Sequence, residues 1–206
     1  MLNIDPGIII IDNFYDDPDK IRQLALDTEY FEKGKSQDFS FGNAPWPGIM
    51  SKKSFIPEGL DLKISKVTNT RLQTNRTSDS GRFRISGIND TFTQYLHSDG
   101  IVDDGKGYAG VVYLNTIEQS KDMPGTVFYE HKETGNQICH NKEQLINIVK
   151  NNEYNDLKYW KEHLTIPMKY NRMILYRKYY FHGIGKLFGD TKENSRLVQV
   201  FFWEEM

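Results

Sequence analysis

From Arg82 onward the chain runs in short segments of alternating or continuous apolar residues, and this pattern constrains the fold most. The segments are "RFRISGI", "TQYLHSD", "GYAGVVYLN", "GTVFYEH", "NRMILYRKYYFHGIG" and "RLVQVFFWEE". Each has the length and the β-branched or aromatic content of a strand. Short polar, glycine-containing connections separate them, which predicts an antiparallel meander or jelly roll. The 12 Tyr, 12 Phe and 3 Trp suit pleated surfaces.

The first half contributes less β-structure. "GIIII" predicts one strand, and Asp17 followed by Pro18 predicts the cap and first turn of a helix. Ile21, Leu24 and Ala25 give that helix one apolar face. Between two later strands lies a polar stretch, 141–164. Asn141 is placed to cap a helix carrying Leu145, Ile148 and Val149, and Asn155 to cap a second carrying Leu157 and Trp160. The reading is one domain over 1–206, mainly β with flanking helices, with a helical insert at about 141–164. No repeat or low-complexity segment interrupts it. A chain of 206 residues is long enough for a real core.

Charge and cysteine content exclude several roles. The net charge of −2 calls for neither a nucleic-acid track nor a membrane surface. "GIIII" is too short to span a bilayer and lacks the basic leader of a signal peptide. The single cysteine, Cys139, cannot form an intrachain disulfide, which fits a reducing compartment, so the expected location is cytoplasmic. Cys139–His140 has no second cysteine with which to build a metal site.

The chemistry centres on "YLHSDG". If Tyr95–Asp99 is a strand, His97 and Asp99 project from one face and Ser98 from the other. An imidazole and a carboxylate side by side can bind one divalent ion. With a second histidine they make the facial two-histidine, one-carboxylate set of non-haem Fe(II) oxygenases. His131, His140 and His163 are poorer partners than His182, which lies in "YYFHGIG" between two strong strands.

The order of these elements resembles the Fe(II)- and 2-oxoglutarate-dependent oxygenases, whose fold is a double-stranded β-helix, a cupin-like jelly roll. The resemblance runs roughly over 82–203 plus the opening strand and helix. "HSD" is similar to the metal pair of the prolyl-hydroxylase-like branch, "YLN" to its following strand, and "PGTVFYE" to its Gly-Gly/Thr-Phe strand. The tail from Asn171 also resembles a phage- and bacterium-borne oxygenase group. The resemblance implies that His97, Asp99 and His182 hold iron. It implies that Arg196 grips the distal carboxylate of 2-oxoglutarate, with Tyr113 donating to the same group. An arginine fork suits a carboxylate. Arg196 also shares a strand face with Val198, Val200 and Phe202, where a buried cation needs a partner.

The resemblance implies lysine or arginine in the gripping role, so Arg177, Lys178 and Lys186 are rivals, and Arg196 follows His182 by 14 positions, a longer step than the branch's usual spacing. Asn171–Arg172 is a candidate to orient the ligands. The cofactors implied are Fe(II) and the cosubstrate 2-oxoglutarate, with ascorbate as a candidate reductant. The reaction implied is hydroxylation of a protein or peptide side chain, or of a small molecule. The loop Phe39–Met50 is a candidate lid. Two other readings stand beside this one: a cupin-like metal enzyme without 2-oxoglutarate, and a non-enzymatic β-sandwich binding module. Oligomeric state is not legible.

Overall fold

The computed structural model describes residues 2–5, 7–31, 47–76, 79–90, 96–104 and 106–206. In chain order the first half supplies β1 (Leu2–Asp5), β2 (Ile8–Ile11), α1 (Pro18–Asp27), β3 (Ile49–Met50), α2 (Leu60–Thr68), β4 (Leu72–Thr74), β5 (Phe83–Ser86) and β6 (Leu96–His97). The second half supplies β7 (Gly107–Tyr113), α3 (Ile117–Ser120), β8 (Pro124–His131), α4 (Lys142–Lys150), β9 (Trp160–Pro167), β10 (Arg172–Arg177), β11 (His182–Ile184) and β12 (Arg196–Glu205).

The strands form two antiparallel sheets. The larger runs β1-β2-β10-β7-β12-β5-β3, with β4 also on β12, and the smaller runs β6-β11-β8-β9. Strands adjacent in sequence are often not neighbours: β7 lies between β10 and β12. A simple meander is therefore excluded, while the mainly β, antiparallel expectation holds.

Period-two alternation separates the cores on the two faces of the larger sheet. Along β12, Leu197, Phe201 and Trp203 join Ile21 and Ala25 of α1 and Leu60 and Ile64 of α2. Val198 and Val200 face the other way, against Phe128 and Ile166 of the smaller sheet. The smaller sheet's outer face packs Val127, Tyr129 and Trp160 with Ile148 of α4. The layers are thus helices, larger sheet, smaller sheet and α4. Gly110 lets β7 pass beneath Trp203 and Met173, whose atoms would stand 2.5–2.9 Å from an added Cβ.

Several local expectations hold. Asp17 caps α1 by accepting from Lys20 N at 3.0 Å, with Pro18 in the first turn. Asn141 caps α4 through Gln144 N at 2.9 Å. Others do not. Leu24 of α1 is 38% exposed, so the buried stripe narrows to Ile21 and Ala25. The second helix of the insert is absent. Leu157–Tyr159 is a single 3-10 turn, and Trp160 opens β9, which lies along the whole of β8. The sheet edge offered by β8 overrides a weak helical pattern there. The expected strand Tyr95–Asp99 shortens to Leu96–His97, and Asp99 lies beyond it. Tyr95 and 39–46 of the candidate lid lie outside the described residues. No helix among the described residues is long and apolar enough to cross a membrane.

Candidate metal centre

His97 and His182 are directly paired residues on β6 and β11. Such cross-strand pairs bring side chains within contact, and the two rings lie 4.4 Å apart, centre to centre. Asp99, two residues after His97, completes the group. Its Oδ1 is 3.5 Å from His97 Nε2 and its Oδ2 is 3.5 Å from His182 Nε2. One donor atom from each residue falls within 4.8 Å of the others, the one such three-residue cluster among the described residues. Donors about 2.1 Å from a shared ion at right angles stand about 3 Å apart, so small side-chain adjustments would close the set on a cation.

Electrostatics favour the ligating forms. His182 Nδ1 lies 2.9 Å from the Tyr180 carbonyl. A carbonyl only accepts, so Nδ1 carries the proton and Nε2 presents its lone pair to the cluster. Burial, then the neighbouring His97, push the His182 pKa down to about 4, leaving the ring neutral near pH 7. Burial alone would raise the Asp99 carboxyl. The imidazoles of His182 and His97, with Arg84, outweigh it and hold the group ionised.

The cleft holding these donors is also lined by Arg196, Arg84 and Tyr176, with Val198, Val200 and Phe202 as apolar wall. Arg196 is 4% exposed. Its Nη2 makes one long contact, 3.5 Å, to the Gly125 carbonyl, and its Nε has no hydrogen-bond partner among the described residues. Its guanidinium carbon stands 5.8 Å from the centre of the Tyr113 ring. Burial pulls the Arg196 pKa below its ordinary value, while nearby Tyr113 works the other way. Tyr113 is fully buried, shares a 2.8 Å hydrogen bond with Thr126 Oγ1, and is pushed by burial up to about 12. A Cβ on Gly125 would stand 2.4 Å from the Tyr113 hydroxyl, so the glycine makes room for it.

The rival cations point elsewhere. Arg177 pairs with Glu205 and stacks on Tyr108, Lys178 pairs with Glu204 at 2.8 Å, and Lys186 is exposed. Asn171 exchanges hydrogen bonds with the backbone of Tyr15, and Arg172 binds Asp12. Neither touches the donor cluster.

A family model described as a family of unknown function, DUF6445, matches residues 4–194. The chain belongs to that family. No curated protein matches it. Among solved structures this DUF6445 protein is similar to HygX from Streptomyces hygroscopicus, determined with nickel, 2-oxoglutarate and hygromycin B bound. The two are 12% identical, with a TM-score of 0.54 over 97% of this chain and 83% of that one. It also matches TqaL, an Fe(II)/α-ketoglutarate-dependent dioxygenase, at 10% identity and a TM-score of 0.43, over 97% and 83% of the two chains. The likeness to HygX is one of fold.

Two cleft residues of the DUF6445 protein escaped sequence reasoning. Arg84 lies opposite Val198 in the β5–β12 register, which puts it on the face that carries Arg196, and Asp79 holds it at 3.0 Å. The alternation in "RFRIS" carries that signal, since Arg84 and Ser86 share a face. Tyr176 reaches the cluster from β10, its hydroxyl 2.9 Å from His182 Nε2. Alternation with Ile174 marks it as inward-facing, but only the tertiary structure sets it beside a histidine. The remaining histidines stand apart: His131 meets Glu153 at 3.3 Å, while His140 and His163 are exposed.

Proposed function

We propose that this DUF6445 protein is an Fe(II)- and 2-oxoglutarate-dependent dioxygenase with a double-stranded β-helix fold, of the prolyl-hydroxylase-like branch. The observation that carries the reading is the convergence of His97, Asp99 and His182 in the cleft that also buries Arg196. Two neutral-nitrogen donors and one carboxylate on one side of a site suit ferrous iron and leave positions open for other ligands. The Nε of Arg196, without a hydrogen-bond partner among the described residues, fits the same reading, because a buried guanidinium is suited to receive a carboxylate. HygX supports it through a shared fold that carries a metal and 2-oxoglutarate.

In this reading His97, Asp99 and His182 hold iron, and the Tyr180 carbonyl fixes the His182 ring through Nδ1. Arg196 binds the distal carboxylate of 2-oxoglutarate, and Tyr113 turns its hydroxyl from Thr126 toward the same group. Iron with bound 2-oxoglutarate would supply the oxidation by dioxygen, one oxygen atom entering succinate as carbon dioxide leaves and the other entering a substrate C–H bond as a hydroxyl. The chain's own work is orientation and exclusion of water. Val198, Val200 and Phe202 form the dry wall. The substrate is a protein or peptide side chain or a small molecule, admitted at the cleft.

The test is an anaerobic titration of metal-free protein with Fe(II), with and without 2-oxoglutarate, on the wild type and His97→Ala. The reading expects one equivalent of iron and a visible charge-transfer band that needs 2-oxoglutarate and is lost in the variant. Iron binding with no effect of 2-oxoglutarate would instead identify a cupin-like metal enzyme.

A further inference from the structure

Binding of iron and of the distal carboxylate gives no task to the Tyr176 hydroxyl. β10 sends Ile174 and Tyr176 into the space between the sheets, and Met173 and Leu175 to the opposite face. Tyr176 is 2% exposed and packs edge-on against Phe128, ring centres 5.3 Å apart. Burial without an acceptor is costly for a hydroxyl, and phenylalanine would fill nearly the same volume without that cost. The hydroxyl reaches His182 Nε2 at 2.9 Å and Asp99 Oδ2 at 3.5 Å. With Nδ1 committed to the Tyr180 carbonyl, Nε2 is an acceptor, and Tyr176 donates to it.

A metal ion needs that same lone pair. Once it is taken, the hydroxyl, pinned by its packed ring, loses its best acceptor and must find another nearby. The Asp99 contact lies beyond the usual O–H···O range, and both Asp99 oxygens already face histidine nitrogens. An ion held beside His182 would supply an acceptor, an oxygen atom of whatever fills its open positions. A carboxylate oxygen there would form a charge-assisted bond, the stronger kind.

We propose that Tyr176 is a positioning residue whose hydroxyl, in the metal-loaded protein, donates to the metal-chelating carboxylate of the 2-oxo acid and fixes how the chelate lies. The inference rests on the oxygenase reading and deepens it. Arg196 holds one end of the diacid and Tyr176 the other, so the cosubstrate is gripped at both carboxylates.

The experiment compares the wild type with Tyr176→Phe. Calorimetric titration of metal-free protein with Mn(II) alone reads metal affinity. Titration of Fe(II)-saturated protein with 2-oxoglutarate, without oxygen, reads cosubstrate affinity through the charge-transfer band. Tyr176→Phe is expected to bind Mn(II) as tightly as the wild type or up to about fivefold tighter, because a competitor for the lone pair is gone. Its 2-oxoglutarate affinity is expected to fall about tenfold, with a displaced band. Fluorotyrosine at position 176 keeps the ring and strengthens the donor, and should displace the band in the opposite sense. Unchanged 2-oxoglutarate affinity with an unmoved band overturns the proposal. So does weakened Mn(II) binding with 2-oxoglutarate affinity intact, which would mean that Tyr176 orients Asp99. Wild-type protein that binds metal but no 2-oxoglutarate overturns the oxygenase reading and this inference with it. Equal 2-oxoglutarate affinity with an identical band in both proteins overturns the inference alone.

Discussion

Arg196 shows how a single residue can oppose stability and serve function. Its guanidinium is buried, lacks a partner at Nε among the described residues, and has a second cation, Arg84, among its neighbours. An uncompensated buried charge is destabilising, and replacing it with an apolar chain of similar length often helps. Arg196→Met is therefore expected to raise stability by about 1–3 kcal/mol, seen as a rise of several degrees in Tm at about 2–4 °C per kcal/mol for a chain of this size. The same variant should lose measurable 2-oxoglutarate binding while still binding Mn(II). A drop in Tm would mean that the guanidinium is compensated in the fold. At this scale the sequence was informative: the face shared by Arg196, Val198 and Val200 could be read from period-two alternation alone. Tyr176 could not, because its meaning depends on which histidine stands beside it, and that is fixed by the β11 register rather than by anything local.

At the scale of elements, ion pairs tie strand ends together. Asp12, just past β2, receives Arg172 Nε at 2.7 Å and Nη2 at 3.2 Å from the start of β10, and Lys169 Nζ at 2.8 Å. The Arg172 hydrogen bond, reinforced by Lys169 against an opposing effect of burial, holds the Asp12 carboxyl down at about 2. A folded-state value below the unfolded one means stability that is present above about pH 4 and is lost as pH falls toward 2. Asp12 is partly exposed, so the contribution is discounted to about 1 kcal/mol or less. Asp12→Asn should lower the urea midpoint at pH 7. The gap from wild type should shrink at pH 3, and a constant gap would contradict the assignment. Strands from β7 to β12 were largely legible from the sequence because their patterns were strong. The insert was not, because 157–164 carries weak helical spacing, and the free edge of β8 draws the part from Trp160 into a strand. The lower end of β6 was misread for a related reason: Asp99 needs the ligand cluster, not a ladder, to be placed.

At the scale of the whole molecule, an ion bound by His97, Asp99 and His182 would join β6 to β11. Saturating Mn(II) at about 100 times its Kd should stabilise the fold by about 2.7 kcal/mol, a Tm rise of roughly 5–10 °C. His97→Ala should show almost none of it, and an equal rise in the variant would place the ion elsewhere. The topology places the donors unevenly. His182 lies on β11, bonded on one side to β8 and on the other to β6, whereas among the described residues β6 joins the sheet through Leu96 and His97 alone. So His97 arrives on a strand with two described residue pairs, and Asp99 follows just past its end. Part of the apparent metal affinity is then the work of closing a local opening. In D2O the amides of 96–99 should exchange faster than those of β8 in the metal-free protein, and slow by the greatest factor when Mn(II) is added.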